Sequence, residues 1–408
     1  MSFDAIQKRL NDLQTKGKLT EKEVSYLLTP KRIHQKEFTL EKDDGSKETL
    51  KAYRVQFNDD LGPTKGGIRF HHEVDLDEVK SLAFWMALKT SLSNLPYGGG
   101  KGGVEVDPKG LSETELERIS RGFIQVMAEH IGPTKDIPAP DVYTTPQIMA
   151  WMLDEYEKIK GEHLPGVITG KPLVLGGSKG RSYSTAQGGV YVLEAALKHA
   201  GKKLTEATIA IQGFGNAGMH AAHILHKLGA KIVAVSDSKG GAYDANGLDI
   251  EAVTAHKEKT RSVIGYAKDV TTEELLALDV DVLIPAALAE TITAKNAANV
   301  KAKIVLELAN GPVTPEADKL LYGKGINVIP DILANAGGVI VSYYEWVQNQ
   351  MGYYWEEEEV LEKLKKQIIP PYNTMYELSS KEKFDLRTAA YLIATKRILE
   401  AAKLRGRV

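Results

Sequence analysis

The sequence predicts an α/β protein of two domains, and three observations support this prediction. With 408 residues, the chain is too long for one ordinary hydrophobic core. Between about 208 and 330, short apolar segments alternate with segments of helical periodicity, which is typical of a parallel, doubly wound sheet. From about 336 the pattern is helical to the end. We therefore expect a first α/β domain over 1–185, completed by about 345–408, and a doubly wound domain over 186–344.

In the first domain, strands and helices are predicted to mix. Two strands are expected over 36–58, on either side of the turn Asp43–Ser46, because apolar residues alternate there. The prolines of Ile137–Asp141 favour an extended segment, since each proline fixes its own φ and disfavours helix at the residue before it. Capping residues and helical spacing of apolar residues predict helices over 3–16, over 20–28, over 75–94, from Ser112, and over 146–159.

In the second domain, the order of elements around one glycine-rich motif is informative. An apolar strand, Thr208–Gln212, is followed by the G-x-G-x-x-G motif Gly213–Gly218 and then by a helical segment. The next strand, 231–236, ends at Asp237. Strand, glycine turn, helix, strand and acid in this order predict a Rossmann-type dinucleotide-binding domain. Further strands are expected over 280–285, 303–308 and 326–330.

Each glycine of the motif has an expected role in such a site. Gly213 permits the tight turn, Gly215 lets the backbone approach the pyrophosphate, and Gly218 allows the helix to pack closely on the strand. The helix N-terminus supplies N–H groups and a positive dipole to the phosphates. Asp237 is placed to bind a ribose hydroxyl, which favours NAD, whereas Lys239 could hold a 2′-phosphate, so NADP stays possible.

Lysines and glycines in the first domain indicate a second kind of site. Five of the six positions Gly98–Gly103 are glycine, and Lys101 interrupts them. Glycine costs backbone entropy, so such a run is expected where the backbone approaches another group closely. Lys65 and Lys89 lie upstream, and Lys89 falls on the apolar face of its predicted helix. Three lysines converging on one pocket favour an anionic substrate and lower the pKa of the most buried of them.

Composition and charge exclude several classes of function. The 52 Lys and Arg residues nearly balance the 54 Asp and Glu residues, and no basic arm is present, so neither nucleic acid nor a membrane surface is an expected partner. No run approaches the ~18 apolar residues that span a bilayer. Cysteine is absent, which excludes disulfides and thiolate sites and fits a cytoplasmic location. The ten histidines show no ligand spacing, so no metal site is predicted.

With these features placed, the chain resembles the glutamate dehydrogenases of the Glu/Leu/Phe/Val dehydrogenase superfamily. The resemblance runs from about Tyr53 to Arg405, in order and without large gaps. Seven motifs in the same order carry it. The motifs are Gly62–Arg69, Leu95–Gly103, Asp136–Asp141, Gly170–Pro172, Gly213–Gly218, Ala309–Pro312 and Asn335–Ser342.

The resemblance implies a reaction and assigns residues to it. The reaction is the reversible oxidative deamination of L-glutamate to 2-oxoglutarate and ammonium, with hydride transfer to NAD or NADP. Lys101 would be the catalytic lysine and Asp141 its acid–base partner. Lys89 would bind the α-carboxylate, and Lys65 with Ser342 would bind the side-chain carboxylate. The remaining implied contacts are Ala139 and Val339 for the substrate, and Thr185, Asn216, Asn310 and Asn335 for the cofactor.

The resemblance also implies how the domains divide the work. The first would bind substrate and mediate oligomerisation, the second would bind the dinucleotide, and the assembly would be a homohexamer. One alternative is the same reaction on leucine, phenylalanine or valine. Lys65 argues against this alternative. A lysine at the end of the substrate pocket would be left as an unpaired buried charge against the apolar side chain of such a substrate. The other alternative is a non-catalytic relative that only binds dinucleotide, which the presence of both Lys101 and Asp141 does not favour.

Overall fold

The computed structural model describes residues 3–408, apart from the side chain of Ala5. The chain forms two compact units. The first comprises the described residues up to Arg181 together with Val339–Val360 and Leu392–Val408, and the second comprises Ser182–Gly338 and Leu361–Tyr391.

The first unit begins with two helices and then alternates strands with helices. Its elements are α1 (Phe3–Thr15), α2 (Glu21–Leu28), β1 (Arg32–Glu41), β2 (Lys47–Asn58), β3 (Thr64–His71), α3 (Leu76–Leu92), β4 (Gly98–Glu105), α4 (Glu113–Met127), β5 (Asp136–Pro140) and α5 (Pro146–Lys160), followed by the short 3-10 helices Pro165–Val167 and Leu173–Leu175. The two strands and the helices expected from the sequence are present. The strands β3 and β4 were not predicted, because their glycines hide the alternation of apolar residues.

The five strands of the first unit form one sheet in the order β1-β2-β4-β3-β5. β3 runs parallel to both β4 and β5, whereas β1, β2 and β4 pair antiparallel. β5 contains Pro138 and Pro140 and lies at an edge, where a residue without an N–H group interrupts no central ladder. The core of this unit includes Phe70, Phe123 and Met152, all buried.

The glycines of β4 serve close packing within the protein. A Cβ atom on Gly99 would lie 2.3 Å from the backbone nitrogen of Ala87 in α3. One on Gly98 would lie 1.7 Å from the carbonyl oxygen of Asn58 in β2. The helix and the neighbouring strand therefore approach this strand more closely than any side chain allows. The close approach that the glycine run predicted is thus met, at these positions, by the chain's own backbone.

The second unit contains a seven-stranded sheet flanked by helices. Its elements are α6 (Ser184–His199), β6 (Thr208–Gln212), α7 (Asn216–Lys227), β7 (Lys231–Ser236), β8 (Gly241–Tyr243), α8 (Ile250–Thr260), β9 (Lys268–Val270), α9 (Thr272–Leu276), β10 (Val282–Pro285), β11 (Ile304–Leu306), α10 (Pro315–Gly323), β12 (Asn327–Ile329) and α11 (Asp331–Ala334), with short 3-10 helices at Leu204–Glu206 and Ala297–Asn299.

The sheet order is β12-β11-β10-β6-β7-β8-β9. The five strands from β12 to β7 are parallel, as the alternating pattern predicted, and the predicted strand positions agree to within about two residues. β8 and β9 extend the sheet antiparallel and were not predicted. Only four residues join β7 to β8, and such a short connection can join antiparallel strands but cannot make a parallel crossover.

Three helices complete the chain: α12 (Gly337–Met351), α13 (Glu357–Glu382) and α14 (Leu386–Leu404). We expected about 345–408 to complete the first domain, whereas Leu361–Tyr391 belongs to the second unit. In this segment Ile368 packs against the backbone of Gly188, and Arg387 forms buried ion pairs with Glu307 and Asp318. Within residues 3–408, no helix is both long and apolar enough to cross a membrane.

Candidate active site

Two of the predicted site residues meet beside β3 of the first sheet. Lys101 lies on β4 and Asp141 follows the end of β5. These two strands are the neighbours of β3 on either side. The Nζ atom of Lys101 lies 2.9 Å from Oδ2 of Asp141. The Lys101 side chain is only 7% exposed and that of Asp141 is 19% exposed, so the pair is largely shielded from solvent.

Local structure fixes the position of Asp141. The Thr144 hydroxyl accepts a hydrogen bond from the backbone N–H of Asp141 at 2.7 Å and donates to the carbonyl oxygen of Ile68 in β3 at 2.9 Å. A Cβ atom on Gly67 would lie only 2.8 Å from Cβ of Asp141. Glycine in β3 therefore makes the room that lets the carboxylate reach Lys101.

Arg69 is a third member of this group, and the sequence analysis gave it no role. It lies on β3, and its Nε atom donates to Oδ2 of Asp141 at 2.9 Å. A second contact joins its guanidinium to Glu78 in α3. Side chains alternate along a strand, so Arg69 shares a face of β3 with Lys65. The four-residue spacing between Lys65 and Arg69 could therefore have predicted Arg69 as a site residue.

The three charges act on one another. Burial lowers the pKa of Lys101, and the charge of Arg69 lowers it further, while Asp141 raises it. For Asp141, burial raises the pKa, but the charges of Lys101 and Arg69 outweigh burial and bring it to about 2. In this state Asp141 is an anion and Lys101 has an unusually acidic ammonium group, which suits proton transfer.

Lys65 lies on the same strand and is almost fully buried, with 1% exposure. Its Nζ atom donates to the carbonyl oxygen of Pro138 at 3.4 Å. Burial lowers the pKa of Lys65 well below its ordinary value, and the charges of Arg54 and Arg181 add to this. A buried ammonium next to other cations is stabilised by an incoming anion.

Ser342 lies on α12, one turn after Val339, and is 2% exposed. Its hydroxyl accepts a hydrogen bond at 3.0 Å from Nε of Arg181, which lies 161 residues earlier in the chain. Arg181 also acts electrostatically on Lys65. Arg181 was not predicted as a site residue, because no local pattern indicates that it faces a helix so distant in sequence.

Thr169 is another residue that the sequence analysis missed. Its backbone N–H donates at 3.1 Å to the carbonyl oxygen of Pro138, the same oxygen that Lys65 contacts. Its Oγ1 atom is buried and finds no hydrogen-bond partner in the part of the chain described. A buried hydroxyl beside a buried ammonium is a group that a ligand can satisfy.

The other predicted substrate residues lie on the same elements. Ala139 pairs with Gly67 in the register of β5 on β3. Lys89 lies in α3, three residues after Met86, and Met86 packs within 3.3 Å of the Cβ position of Gly66. Residues three apart share a helix face, so Lys89 is on the side of α3 that faces the sheet.

A buried ion pair supports the segment that carries Ser342. Glu345, one turn further along α12, accepts hydrogen bonds from Nζ of Lys171 at 2.7 Å and from the backbone N–H of Gly170 at 2.8 Å. Both side chains of the pair are 0% exposed. Lys171 also donates to Asn349 at 2.8 Å. These hydrogen bonds therefore join α12, the helix that carries Ser342, to the segment Gly170–Lys171.

We expect Glu345→Gln to lower the free energy of unfolding by about 3–5 kcal/mol, because it leaves the Lys171 ammonium buried without an anion. Urea unfolding at one protein concentration would measure the change. The matched control is Glu356→Gln, which breaks the exposed pair with Lys179 and should have a far smaller effect, because solvent screens that pair. Equal, small losses in both variants would contradict the proposed support.

In the second unit, the backbone around the G-x-G-x-x-G motif fits a dinucleotide. Gly213 has φ +98° and follows β6, and a Cβ on Gly218 would lie 1.9 Å from the carbonyl oxygen of Gly213. Gly215, by contrast, faces open space: apart from its own chain neighbours, no described residue has a heavy atom within 4 Å of its Cβ position. Helix α7 begins at Asn216, and no side chain in the described part of the protein caps its N-terminus. The open N–H groups suit a pyrophosphate.

The remaining predicted cofactor residues also lie in this unit. Nδ2 of Asn335 donates to Oδ1 of Asn310 at 2.9 Å, so these two side chains meet. Thr185 lies in the first turn of α6. Asp237 follows β7 and accepts hydrogen bonds from the backbone N–H groups of Val263 at 2.7 Å and Lys239 at 2.9 Å. These bonds fix the carboxylate at the end of the strand, where a ribose hydroxyl is expected.

Two parts of the chain match families of known proteins. Residues 176–406 match the family described as Glutamate/Leucine/Phenylalanine/Valine dehydrogenase. Residues 30–158 match the Glu/Leu/Phe/Val dehydrogenase dimerisation domain.

Individual relatives agree with these families. The NAD-specific glutamate dehydrogenase of Staphylococcus aureus (strain COL) is 51% identical over 378 residues, which cover 92% of this chain and 91% of that protein. The catabolic NAD-specific glutamate dehydrogenase RocG of Bacillus subtilis (strain 168) is also 51% identical, covering 92% of this chain and 89% of that protein.

Solved structures are similar over nearly the full length of the chain. The glutamate dehydrogenase from Peptoniphilus asaccharolyticus is 40% identical, with a TM-score of 0.90 and 100% of both chains covered. The hetero-hexameric glutamate dehydrogenase from Thermus thermophilus (Leu bound form) is 38% identical, with a TM-score of 0.93, and the match covers 99% of this chain and 96% of that one.

Proposed function

The chain belongs to the glutamate/leucine/phenylalanine/valine dehydrogenase family, and from this premise we propose how its residues take part in the reaction. It is an NAD-dependent enzyme that catalyses the oxidative deamination of L-glutamate. The family, the two-domain α/β fold, the activity and the cofactor predicted from the sequence are confirmed. The roles of individual residues are our proposal.

The observation that carries the choice of glutamate over an apolar amino acid is the buried amine of Lys65, whose ammonium form an incoming carboxylate would stabilise. This ammonium lies in a region where Arg181 adds a second charge and Ser342 and Thr169 add hydroxyl groups. A γ-carboxylate would pair with these groups, whereas a leucine or phenylalanine side chain would leave the charge unpaired. We assign Lys89 to the α-carboxylate, and Ala139 and Val339 to the walls of the pocket.

Lys101 and Asp141 are proposed to move the protons. When bound, NAD supplies the acceptor for the hydride that leaves the α-carbon. Neutral Lys101 takes a proton from the water that attacks the resulting imine, and the Lys101 ammonium then polarises the new 2-oxo group. While Lys101 is neutral, its charge no longer lowers the pKa of Asp141. Burial then raises that pKa and makes the Asp141 carboxylate a better base. Asp141 can then exchange a proton with the substrate nitrogen.

Replacing Arg69 by methionine should move the acid limb of the pH profile of kcat/KM to higher pH. The guanidinium lowers the pKa of Lys101, so its removal raises that pKa, and neutral Lys101 then forms only at higher pH. The measurement is kcat/KM for glutamate across pH. Arg118→Met, which removes an exposed partner of Asp43, is the control and should leave the profile in place. A limb that stays fixed or moves to lower pH would refute the coupling.

A substrate panel tests the proposed specificity. NADH or NADPH formation is measured with L-glutamate, L-leucine and L-phenylalanine, each with NAD and with NADP. We expect turnover with glutamate and NAD to exceed all other combinations. Turnover only with leucine or phenylalanine would establish the alternative substrate class. Dinucleotide binding without turnover of any substrate would establish a non-catalytic relative.

We further propose that the chain assembles as a homohexamer in the cytoplasm. The Thermus thermophilus relative is described as hetero-hexameric, and residues 30–158 match a dimerisation domain. β1 lies at an edge of its sheet and is exposed along most of its ten residues, and such an edge is available for pairing with another chain. Light scattering should give a mass six times that of the 44.7 kDa chain. A monomer mass would contradict the proposal.

A further inference from the structure

Three potential metal ligands lie together where β3 ends. His71 is the last residue of the strand, and His72 and Glu73 follow it in a turn. One nitrogen of each imidazole and one carboxylate oxygen of Glu73 all lie within 4.8 Å of one another. His71 is half-buried, and the other two side chains are exposed. The sequence analysis predicted no metal site, because three consecutive residues do not have the spacing of a helical or loop motif.

The backbone holds this group in place. The carbonyl oxygen of His71 accepts hydrogen bonds from the N–H groups of Val74 at 3.2 Å and Val106 at 3.3 Å. Nδ1 of His71 accepts from the N–H of Glu73 at 3.2 Å and lies 3.9 Å from the Glu73 carboxylate. The imidazoles of His71 and His72 stack with centroids 4.3 Å apart. The turn therefore gathers the three side chains on its own.

To bind a metal, the three ligand atoms must come closer together, and His71 must either use Nε2 or release the hydrogen bond that Nδ1 accepts from the Glu73 N–H. Ligand atoms around a tetrahedral zinc ion at about 2.0–2.1 Å are about 3.4 Å from one another. The ligand atoms here lie within 4.8 Å, and two of the three side chains are exposed and can change rotamer. Two imidazoles, one carboxylate and a water molecule form a common ligand set for Zn²⁺. Glu73 and Asp75 supply negative charge nearby, while Arg69 on β3 and Lys109, which lies over the Tyr143 ring, supply positive charge.

The position connects the group to the catalytic pair. His71 lies two residues after Arg69 on the same face of β3. Its ring stacks on Tyr143, with centroids 6.0 Å apart and planes 13° apart, and Tyr143 follows Asp141 by two residues. A backbone hydrogen bond of 3.1 Å from Phe70 to Val142 joins the two segments. A dication at His71 would therefore place positive charge and a rigid contact beside the segment that carries Asp141.

We propose that His71, His72 and Glu73 bind one divalent transition-metal ion of the Zn²⁺ class, and that a metal held there slows the enzyme. The first part is independent of the proposed function, whereas the second part rests on it. Binding is therefore tested by calorimetry and turnover is tested separately, so that the failure of either part can be recognised.

Binding is measured by titrating Zn²⁺ into the untagged, metal-free full-length protein, with Co²⁺ absorption as a second readout. We expect one ion per chain in the unaltered protein. His72→Ala and Glu73→Gln should each weaken binding by at least about tenfold, because even the loss of an outer-shell partner costs about 10–100-fold in metal affinity. The matched control is His163→Ala, which removes an exposed histidine paired with Glu157 at 2.9 Å. Unchanged binding in His72→Ala, or equal loss in the control, would overturn the site.

Turnover of glutamate is then measured with and without Zn²⁺. The expected result is that zinc slows the unaltered enzyme and the His163→Ala variant, but not His72→Ala. Without zinc, His72→Ala should match the unaltered enzyme, because His72 has no role in the proposed reaction. Equal inhibition of His72→Ala and the unaltered enzyme would overturn the link between this site and catalysis, while the calorimetry would still decide whether the site exists.

Discussion

Lys101→Ala is expected to lower kcat by at least about 10²–10⁴-fold while the protein still binds NAD. Lys101 lies 2.9 Å from Asp141 and is almost completely buried, and its pKa is lowered by burial and by Arg69. Among residues 3–408, Lys101 is the lysine paired with Asp141, and the other partner, Arg69, is a guanidinium that does not release a proton at neutral pH. The dinucleotide motif begins at Gly213 in the second unit, so binding of NAD should persist.

The measurements for Lys101→Ala are steady-state turnover of glutamate and NAD binding by fluorescence titration. Lys47→Ala, at an exposed position on β2, is the control and should keep its activity. Asp141→Asn should show a loss of similar size, because an amide cannot accept a proton and no longer supports the Lys101 ammonium. A near-normal kcat in either site variant, with the fold intact, would remove the proposed mechanism.

Lys65→Met is expected to lower kcat/KM for glutamate by about 30-fold or more. Truncating one partner of a buried charge pair costs about 2–5 kcal/mol, and about 2 kcal/mol corresponds to that factor. Methionine keeps most of the apolar stem of lysine, is one atom shorter, and removes the charged amine with its hydrogen-bond donors. In this variant the γ-carboxylate would still meet Arg181 and Ser342. It would lack the Lys65 ammonium, which lies against the carbonyl oxygen of Pro138.

Norvaline separates this effect from general damage to the site, since it has the α-carbon groups of glutamate and no γ-carboxylate. We expect kcat/KM for norvaline to change by only a few fold in Lys65→Met, so the preference for glutamate over norvaline should collapse. Ser342→Ala should reduce that preference by a smaller factor, because it removes one hydrogen bond to the carboxylate and leaves the buried charge of Lys65 in place. If both substrates were affected equally, Lys65 would not be the group that recognises the γ-carboxylate.

Some parts of the candidate site could be predicted from short stretches of sequence. The run from Thr208 to Asp237 contains strand, glycine turn, helix, strand and acid in one continuous segment, and the structure places them as expected. The contact of Lys101 with Asp141 was expected from the resemblance and is present at 2.9 Å. The assignment of Lys89, Ala139 and Val339 to the substrate stays a prediction.

The glycines of β4 show where the prediction from sequence was incomplete. The run Gly98–Gly103 correctly indicated a close approach of the backbone to another group. At Gly98 and Gly99 the other group is the chain itself, at Asn58 and Ala87. A sequence shows that a side chain is missing, but only the packed structure shows what occupies the space.

The sequence by itself determined the two-domain α/β fold, the dinucleotide motif and the identity of the lysines and the aspartate, because each depends on local periodicity or on a motif within one segment. Only the tertiary structure decided which distant side chains meet: Arg181 with Ser342 across 161 residues, and Lys171 with Glu345 across 174. Strand register and helix packing set such contacts. Both are long-range properties that arise from burial of the whole chain, and no local pattern encodes them.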